Sequence, residues 1–319
     1  MSGSLEGKVA VVTGAGRGLG RSHALALAAQ GAAVVVNDLG GSDRGEGADT
    51  GPAFEVVKEI NALGGKAVAN TDSVSEWDSA RRLIDTAYEK FGRLDIIVNN
   101  AGISRFGPLD AGTSLDWDLT IAANLTGSAT TTYWASQRWK AIGPEAGRAI
   151  VNTASPAGTN PLPGSTAYCV SKAGVIALTI TTAAELAPLG VRVNAIAPMA
   201  RTRLTDAVPA LDEIMKKPEQ GFDRVAPENV SPLVIYLASP QCRFTGRVFG
   251  AEGDDIFLFD GFSANNHFNN SQKQWTPAAI ARALEAVDAQ DRGLMILPGA
   301  RIPGAQPSDD VMRALEQLA

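Results

Sequence analysis

The chain has 319 residues, of which 45% are hydrophobic and 19% are charged, a balance that indicates a globular protein with a buried core. The net charge of −6 and the isoelectric point of about 5.1 exclude the basic surface on which nucleic-acid-binding and membrane-surface proteins depend. Because Cys169 and Cys242 are the only cysteines, a disulfide framework and a cysteine metal site are excluded as well.

The sequence shows no recognisable targeting signal, so we expect a cytoplasmic location. Residues 1–8 are polar and lack the apolar core of a signal peptide. No apolar run approaches the length of a bilayer span, and residues 317–319 are not the peroxisomal address. We also expect no metal site, since neither His23 nor His267 has a carboxylate or cysteine partner in the sequence.

Strands and helices are predicted to alternate along the chain. The predicted strands are Val9–Val12, Val34–Val36, Lys66–Ala69, Leu94–Val98, Arg148–Thr153 and Arg192–Ala197. The predicted helices are Ser22–Ala29, Ala53–Leu63, Glu76–Phe91, Leu115–Lys140 and Ala167–Leu186. Continuous apolar strands indicate burial on both faces, as in parallel sheets. The fold class is therefore α/β, a doubly wound parallel sheet with its ligand outside the carboxyl ends of the strands.

Two stretches depart from this alternation. Residues 39–52 are rich in glycine and acidic residues and predict a long surface loop. After about residue 261 the composition changes, and helices are predicted at Pro277–Ala289 and Asp309–Leu318. We expect one domain over residues 1–262 and a C-terminal extension over residues 263–319.

A glycine-rich turn follows the first strand and opens the first helix. Glycines allow a tight turn and close approach to phosphates, while the helix N-terminus offers free amide donors. The spacing Gly14-x-x-x-Gly18-x-Gly20 differs from the G-x-G-x-x-G fingerprint, and an ordinary strand-to-helix turn is the alternative. The position between a strand and a helix favours a site for a dinucleotide pyrophosphate.

Acidic residues after the next two strands predict the adenosine side of that site. Asp38 ends the second strand, where a carboxylate can bind ribose hydroxyls and repel the extra phosphate of NADP. Arg17 favours NADP instead, since its guanidinium could pair with that phosphate. We expect Asp38 to prevail and NAD to be the cofactor. Asp72 could accept from the adenine amino group or could cap the helix that starts near Ser75.

Ser155, Tyr168 and Lys172 form the pattern Ser…Tyr-x-x-x-Lys downstream of the glycine turn. Tyrosine has a pKa of about 10 and is a poor base at neutral pH. Lys172 follows one helical turn later, and its ammonium favours the phenolate. A Tyr-x-x-x-Lys pair alone is common on helices. Combined with the serine and the glycine turn, it indicates hydride transfer, with Tyr168 as general base in oxidation and general acid in reduction.

Over about residues 5–260 the chain resembles the short-chain dehydrogenase/reductase family. The motifs that carry the resemblance are the glycine turn, Asn99-Asn100-Ala101-Gly102, Asn124, Ser155, Tyr168-x-x-x-Lys172 and Asn194-Ala195-Ile196-Ala197-Pro198. The resemblance implies a Rossmann-type fold, with Asn100–Gly102 on the adenine–ribose side of the cofactor. It also implies that Asn124 kinks its helix, holds a water and completes a catalytic tetrad.

From these motifs we expect a defined set of site residues. The catalytic set is Asn124, Ser155, Tyr168 and Lys172. The cofactor-binding set is Gly14, Arg17, Gly18, Leu19, Gly20, Asp38, Asp72, Ser73, Asn100, Ala101, Gly102, Tyr168, Lys172, Pro198 and Thr202.

A narrower resemblance concerns residues 34–41, the loop after them and residues 66–74. These segments are similar to the (3R)-hydroxyacyl-CoA dehydrogenase branch, found in peroxisomal multifunctional β-oxidation enzymes and in bacterial single-domain relatives. Pro198-Met199 and Gly250-Ala251-Glu252-Gly253 depart from the wider family in a way similar to that branch. Ser155-Pro156 is a further departure, which puts the geometry around the serine in question.

The resemblance implies that residues 198–229 contain a substrate lid. Leu204, Val208, Leu211, Ile214 and Met215 form an apolar face that either covers a hydrocarbon substrate or closes the core. The neighbouring Lys216 and Lys217 are either solvated or in contact with CoA phosphates.

We expect an NAD-dependent oxidoreductase for a secondary alcohol or ketone, with a (3R)-hydroxyacyl-CoA or steroid-like substrate. The long helices suit a homodimer or homotetramer. One alternative is an NADP-dependent ketoreductase of small carbonyl compounds. The other is a non-catalytic dinucleotide-binding sensor, which is disfavoured because such proteins typically lose the tyrosine or the lysine.

Overall fold

An eight-stranded sheet organises the described part of the chain. The computed structural model describes residues 3–161, 163–203, 215–259, 274 and 276–284. The strands are β1 (Val9–Thr13), β2 (Ala33–Asn37), β3 (Lys66–Asn70), β4 (Ile96–Asn99), β5 (Arg148–Thr153), β6 (Val191–Met199), β7 (Val248–Glu252) and β8 (Asp255–Phe259). They lie in the order β3-β2-β1-β4-β5-β6-β7-β8, and all neighbours pair in parallel except β7 and β8.

Helices cover both faces of this sheet. They are α1 (Gly18–Ala29), α2 (Gly51–Ala62), α3 (Trp77–Phe91), α4 (Ser114–Ile121), α5 (Gly127–Ile142), α6 (Pro156–Thr159), α7 (Thr166–Glu185), α8 (Ser231–Ala238) and α9 (Pro277–Leu284). A π-helical turn, Ala122–Thr126, joins α4 to α5, and single 3₁₀ turns occupy Ala187–Leu189 and Pro227–Asn229. The predicted doubly wound parallel sheet is confirmed.

The strands alternate their side chains between two apolar layers. Val12 and Val34 pack with α1, α2 and α8 on one face, while Val11 and Val35 pack with α3, α5 and α7 on the other. Every residue of β1, β4 and β5 is buried. Full burial of each Val or Ile side chain stabilises the fold by about 1.5–3 kcal/mol. Continuous apolar strands such as these are therefore favoured where helices cover both faces of the sheet.

The C-terminal edge of the sheet differs from the sequence prediction. Strands β7 and β8 and helix α8 have no counterpart among the predicted elements. Gly250 lies inside β7, and residues 252–255 are all acidic or glycine. Because these residue types are rare in strands, the sequence signal for β7 and β8 is weak. The predicted helix Leu115–Lys140 is present, since helical turns continue from Ser114 to Ile142, but the π-helical turn Ala122–Thr126 interrupts its regular α-helical bonding.

One helix contradicts the expectation that no segment is long enough for a membrane. By length and composition, Thr166–Glu185 could cross a bilayer. It is instead the core helix α7, which packs against β6, α4 and α6 and buries Lys172, Ser171 and Thr179.

Several predictions fall on residues that lie outside the described part of the chain. These are the lid residues Leu204, Val208, Leu211 and Ile214, then His267, the end of the predicted helix Pro277–Ala289, and the helix Asp309–Leu318. Met215, the last predicted lid residue, is described and is buried.

Candidate active site

The predicted catalytic residues come together at the carboxyl ends of β4 and β5. Ser155 lies two residues beyond the end of β5, and Tyr168 and Lys172 lie in the first turns of α7. Asn124 lies in the π-helical turn between α4 and α5. Segments separated by up to about 50 residues thus form one cluster, at the edge where parallel sheets bind ligands.

Ser155 is held in place by the short helix that follows it. It is the N-cap of α6, and its hydroxyl accepts a hydrogen bond from the Ala157 amide at 3.1 Å. Pro156 occupies the first position of α6, where a proline is favoured because the missing N–H would have no helical partner. The Ser-Pro departure noted in the sequence is therefore compatible with an ordered serine, whose side chain also hydrogen-bonds Tyr168.

Tyr168 lies in surroundings that act on its phenol in opposite directions. The pKa of Tyr168 is raised above its usual value, because burial, the largest effect, and the neighbouring Cys169 raise it more than the hydrogen bond with Ser155 lowers it. The ring of Phe106 lies 6.4 Å from the Tyr168 ring, centre to centre. Phe106 was not among the predicted site residues, because nothing in its local sequence distinguishes it from a surface aromatic.

Lys172 is buried beside Tyr168. Its Nζ lies 5.7 Å from the centre of the Tyr168 ring and donates a 2.8 Å hydrogen bond to the carbonyl oxygen of Thr153. Burial lowers the pKa of Lys172 to about 8, so the ammonium sits close to its titration point at neutral pH. A positive charge on Lys172 favours the phenolate form of Tyr168.

Asn124 is completely buried and fastens the segment after β4 to α7. Its side-chain oxygen accepts from the Ile103 amide at 2.8 Å, and its Nδ2 donates to the Ile103 carbonyl oxygen at 3.1 Å. The same Nδ2 donates to Ser171 Oγ at 3.0 Å. The π-helical turn at Asn124 is the kind of local irregularity that often marks functional sites.

The glycine turn after β1 is built for close backbone approach. Gly14 and Gly18 have φ angles of 61° and 52°, which favour glycine, and a Cβ on Gly14 would lie 2.8 Å from the Ala101 Cα. Asn100 locks this turn, because its Nδ2 donates to the carbonyl oxygens of Thr13 and Gly14 at 3.0 and 3.1 Å. Leu19 and Gly20 follow in the first turn of α1.

Asp38 lies beside the glycine turn, with its carboxylate fixed by backbone amides. One oxygen accepts from Gly16 N and the other from Gly40 N, both at 2.7 Å. Arg17 lies nearby and is drawn toward Asp49, with 4.0 Å between their charged atoms. The two residues that favour different cofactors thus lie close together at the carboxyl ends of β1 and β2. The space outside the carboxyl ends of β1, β2, β4 and β5 is called the crevice below.

Asp72 is tied to α3 by a side-chain interaction and does not cap that helix. Arg82 donates to Asp72 from Nε at 2.8 Å, and Asn70 Nδ2 donates to it at 2.9 Å. Helix α3 starts at Trp77, and its N-cap residue, Glu76, makes no side-chain cap bond, so the capping alternative is wrong. Ser73 accepts a 3.3 Å bond from Ser75 N in the same segment.

The lid region begins next to the glycine turn. Pro198 lies near the end of β6, and Thr202 lies so close to Gly18 that a Cβ there would be 3.5 Å from the threonine methyl group. Thr202 and the glycine turn, both predicted to bind the cofactor, are therefore close neighbours.

Unpaired buried atoms support a polar ligand in this crevice. Arg17 Nη1 and Thr153 Oγ1 are buried and have no hydrogen-bond partner within the described residues. Arg17 belongs to the turn after β1, and Thr153 ends β5. Because unpaired buried polar groups are costly, the phosphate and ribose groups of a dinucleotide fit this site.

The described residues offer no cluster of side chains suited to a metal ion. His23, one of the two histidines, is buried in α1, and its Nδ1 lies 2.9 Å from Ser231 Oγ. Burial lowers the pKa of His23 to about 3, so this ring is neutral and serves the packing of α1 against α8.

Comparisons with known proteins agree with this geometry. The family model described as short chain dehydrogenase matches residues 8–213. The peroxisomal hydratase-dehydrogenase-epimerase of Saccharomyces cerevisiae is 38% identical over 91% of this chain, which spans only 31% of that relative's length. Hydroxyacyl-CoA dehydrogenase ChsB1 of Mycobacterium tuberculosis is 38% identical over 88% of both chains.

A solved structure shares the architecture. The 7α-hydroxysteroid dehydrogenase complexed with NADH and 7-oxo glycochenodeoxycholic acid is 29% identical, with a TM-score of 0.69. The alignment covers 78% of this chain and 94% of that structure.

Proposed function

The chain belongs to the short-chain dehydrogenase family of oxidoreductases, which use a nicotinamide dinucleotide, and from that premise we propose that it transfers a hydride between NAD and a secondary alcohol or ketone. We further propose a (3R)-hydroxyacyl-CoA or a steroid-like compound as the substrate. The observation that carries the reaction is the cluster of Ser155, Tyr168 and Lys172 beside a glycine turn fitted to phosphates.

In the oxidation direction, Tyr168 removes the proton of the substrate hydroxyl while the carbinol C–H bond breaks. NAD, when bound, supplies the acceptor for that hydride. Ser155 donates a hydrogen bond to the substrate oxygen. Because Ser155 and Tyr168 are hydrogen-bonded to each other, their hydroxyls lie close enough to contact the same substrate oxygen. In reduction the same proton returns from Tyr168 to the forming alkoxide.

Lys172 supports the phenolate of Tyr168 by charge. Its Nζ is anchored on Thr153 O, so the ammonium is held at a fixed distance from the ring. Asn124 fixes Ile103 and Ser171 around that lysine, which keeps the segment after β4 and α7 in register. A non-catalytic sensor would not need this set of buried, oriented polar groups.

The preference for NAD rests on the charge around Asp38. Its carboxylate is held by two amides beside the turn, where the 2′-phosphate of NADP would meet a fixed negative charge. Asp49 partly neutralises Arg17, the group that could otherwise attract that phosphate. NADP-dependent reduction of small carbonyl compounds remains the second candidate because Arg17 Nη1 is unpaired.

An apolar rim supports a hydrocarbon substrate. Phe106 is 42% exposed beside Tyr168, and Leu109 is 69% exposed in the same segment. The similarity to hydroxyacyl-CoA dehydrogenase ChsB1 over 88% of both chains supports an acyl-CoA substrate. The similarity to the hydroxysteroid dehydrogenase structure, which contains 7-oxo glycochenodeoxycholic acid, supports a steroid-like substrate.

A substrate panel tests the proposal. The full chain is incubated with (3R)- and (3S)-hydroxyacyl-CoAs of increasing chain length, hydroxysteroids and small cyclic alcohols, each with NAD or NADP, and reduced cofactor is followed by absorbance. We expect turnover of (3R)-hydroxyacyl-CoAs or hydroxysteroids with NAD. Turnover confined to small alcohols, or to NADP, would replace the proposal with the ketoreductase alternative.

A further inference from the structure

The segment after β2 is a compact loop of residues 39–50, called here the β2–α2 loop. Its neck is closed by the Asp49 amide, which donates to Leu39 O at 3.0 Å. At its tip Ser42 N donates to Glu46 O at 2.9 Å, and Gly45 N donates to Ser42 O at 3.0 Å. Close ends and an internally bonded tip are the features of compact surface loops that often have a function.

Arg105 fastens the tip of this loop to the segment after β4. Its Nε donates to the Arg44 carbonyl oxygen at 2.8 Å, and its Nη2 donates to Glu46 at 3.2 Å. On the other side Nη1 donates to Asp116 at 2.7 Å. Only 7% of the Arg105 side chain is exposed. Arginine is rarely buried to this extent unless it is paired, as Arg105 is here.

Asp116 extends this connection into α4. Its carboxylate and the Thr113 hydroxyl form the capping box that starts the helix. The hydrogen bonds from Thr113, and after them the guanidinium of Arg105, hold the pKa of Asp116 far below its usual range, so the carboxylate stays charged. Arg105 thus joins the β2–α2 loop to a rigid helix end.

The adjoining backbone makes the same connection. Ser104 N donates to the Asp43 carbonyl oxygen at 3.1 Å. A Cβ on Gly45 would lie 2.9 Å from Ile103 Cδ1, so the loop tip is packed against Ile103. Ile103 is the residue whose amide and carbonyl are both bonded by Asn124. The loop therefore packs against a residue that is bonded directly to Asn124 of the catalytic cluster.

Sheet order places this loop across the cofactor crevice. Strand β1 lies between β2 and β4, so a loop that leaves β2 and docks on the segment after β4 must pass the carboxyl end of β1. The switch in strand order between β1 and β4 is where doubly wound sheets bind ligands. Asp49 also approaches Arg17 of the glycine turn at that point.

We propose that Arg105 is a positioning residue that holds the β2–α2 loop across the cofactor crevice and thereby sets the rate at which the reduced dinucleotide leaves. The proposal rests on the proposed function, since it places that cofactor in the crevice. Loss of the guanidinium leaves Glu46 and Asp116 without this partner and frees the loop tip from its anchor. Release of the cofactor then no longer requires the Arg105 contacts to break.

The test measures dissociation of NADH from the full-length protein by stopped-flow fluorescence, with NADPH as a parallel ligand. Arg105→Met removes the charge. Arg105→Lys keeps the charge but removes the guanidinium, whose three nitrogens donate to separate partners. The matched control is Arg138→Met, which removes the ion pair between Arg138 and Asp85 on the helices α5 and α3. Melting temperatures are recorded for each protein.

A second variant tests the loop without altering Arg105 or Asp116. It replaces residues 42–47 with two glycines, a short link that is feasible because Ser42 N and Glu46 O are already 2.9 Å apart. We expect both Arg105→Met and the shortened loop to release NADH about tenfold faster, the effect of losing one charge-assisted contact. Arg105→Lys should lie between Arg105→Met and the wild type, and Arg138→Met should match the wild type.

Two results separate failure of this inference from failure of the proposed function. If the wild type binds neither NADH nor NADPH, the proposed function fails and the inference fails with it. If the wild type binds the cofactor and the shortened loop releases it at the wild-type rate, only the role of the loop and of Arg105 is overturned. An equal acceleration in Arg138→Met would also overturn it.

Discussion

At the scale of single residues, buried polar groups divide into those that serve the reaction and those that serve packing. Tyr168 and Lys172 have shifted pKa values and lie together at the crevice, with Ser155 bonded to the phenol. His23 is also buried and its pKa is also shifted, to about 3, but it packs between α1 and α8. A shifted pKa therefore indicates function only where a crevice and a second reacting group accompany it.

The pKa of His23 has a consequence for stability. In the unfolded chain the imidazole titrates at about 6.5, whereas in the folded protein burial lowers its pKa to about 3. The unfolded state thus binds a proton that the folded state excludes, so stability is full above pH 6.5 and falls as the pH is lowered. The loss is about 1.4 kcal/mol per pH unit at most, or about 2 kcal/mol between pH 6.5 and 5.

Urea unfolding of the wild type and of His23→Asn at several pH values between 7 and 5 checks this expectation. The variant should lose most of the pH dependence in this window, because carboxylates such as Asp95, whose pKa is lowered, contribute only at more acidic pH. His267→Asn, which alters the other histidine of the chain, is the control. An equal slope in wild type and His23→Asn would contradict the assignment.

Asp38 is expected to decide between the two cofactors. Asp38→Ala removes the negative charge beside the glycine turn, so kcat/KM with NAD should fall about tenfold, as for loss of one charge-assisted hydrogen bond, and turnover with NADP should rise. Asp78→Ala removes an equivalent charge from the surface of α3, where Asp78 pairs with Arg81, and should change neither value. An unchanged NAD/NADP ratio in Asp38→Ala would show that another group sets the preference.

At the scale of elements, the sequence predicted the parts of the fold whose signals are local. Buried runs such as those of β1 and β5 and the glycine turn before α1 carry their own pattern, so these elements lie within a few residues of their predicted positions. The break at Ala122–Thr126 was not predictable from periodicity, since it depends on the bonds between Asn124 and Ile103, which are 21 residues apart.

The same limit applied to the candidate site. The positions of Ser155, Tyr168 and Lys172 could be inferred from their order and spacing, because one strand end and one helix carry all three. The contacts of Phe106 and Arg105 could not, because each joins the segment after β4 to a part of the chain that is distant in sequence, α7 for Phe106 and the loop after β2 for Arg105. Long-range packing of this kind leaves no spacing pattern in the sequence.

The π-helical turn should be sensitive to Asn124. Asn124→Ala leaves the Ile103 amide and carbonyl without their partner in a buried position, at a cost of about 2–4 kcal/mol in the free energy of unfolding. Loss of the link to Ser171 should also lower kcat, because α7 carries Tyr168 and Lys172.

Chemical unfolding and steady-state kinetics measure these two effects separately. Thr179→Ala is the matched control. Thr179 lies in α7, away from the catalytic cluster, and accepts a buried 2.9 Å hydrogen bond from Asn152 of β5. It should lose stability and keep its kcat. If Asn124→Ala is destabilised and its kcat is unchanged at a temperature where it is folded, Asn124 has only a structural role.

At the scale of the whole molecule, one face of the sheet carries the catalytic helix and leaves apolar side chains on its outer surface. Helices α3, α5 and α7 cover that face. On the outside, Tyr133 and Ile142 of α5 and Val170 and Ile180 of α7 are between 42% and 60% exposed. We propose that α5 and α7 pair with the same helices of a second copy, giving a homodimer or a dimer of dimers.

Light scattering coupled to size-exclusion chromatography tests this assembly. Ile180→Arg places a charge in the proposed interface and should shift the protein toward a monomer. Leu63→Arg, at the end of α2 on the other face of the sheet and 78% exposed, should leave the assembly intact. A wild type that is monomeric at micromolar concentration, or an Ile180→Arg variant with unchanged mass, would contradict this arrangement.

We propose that one crevice combines cofactor binding with proton transfer by Tyr168, and the substitution Tyr168→Phe separates these two roles. The substitution removes the hydroxyl that exchanges the proton and keeps the ring that packs near Phe106 and Lys172. We expect kcat to fall by about 10²–10⁴-fold while the dissociation constant for NADH, measured by fluorescence titration, stays close to the wild-type value. Turnover at the wild-type rate in Tyr168→Phe would contradict the account.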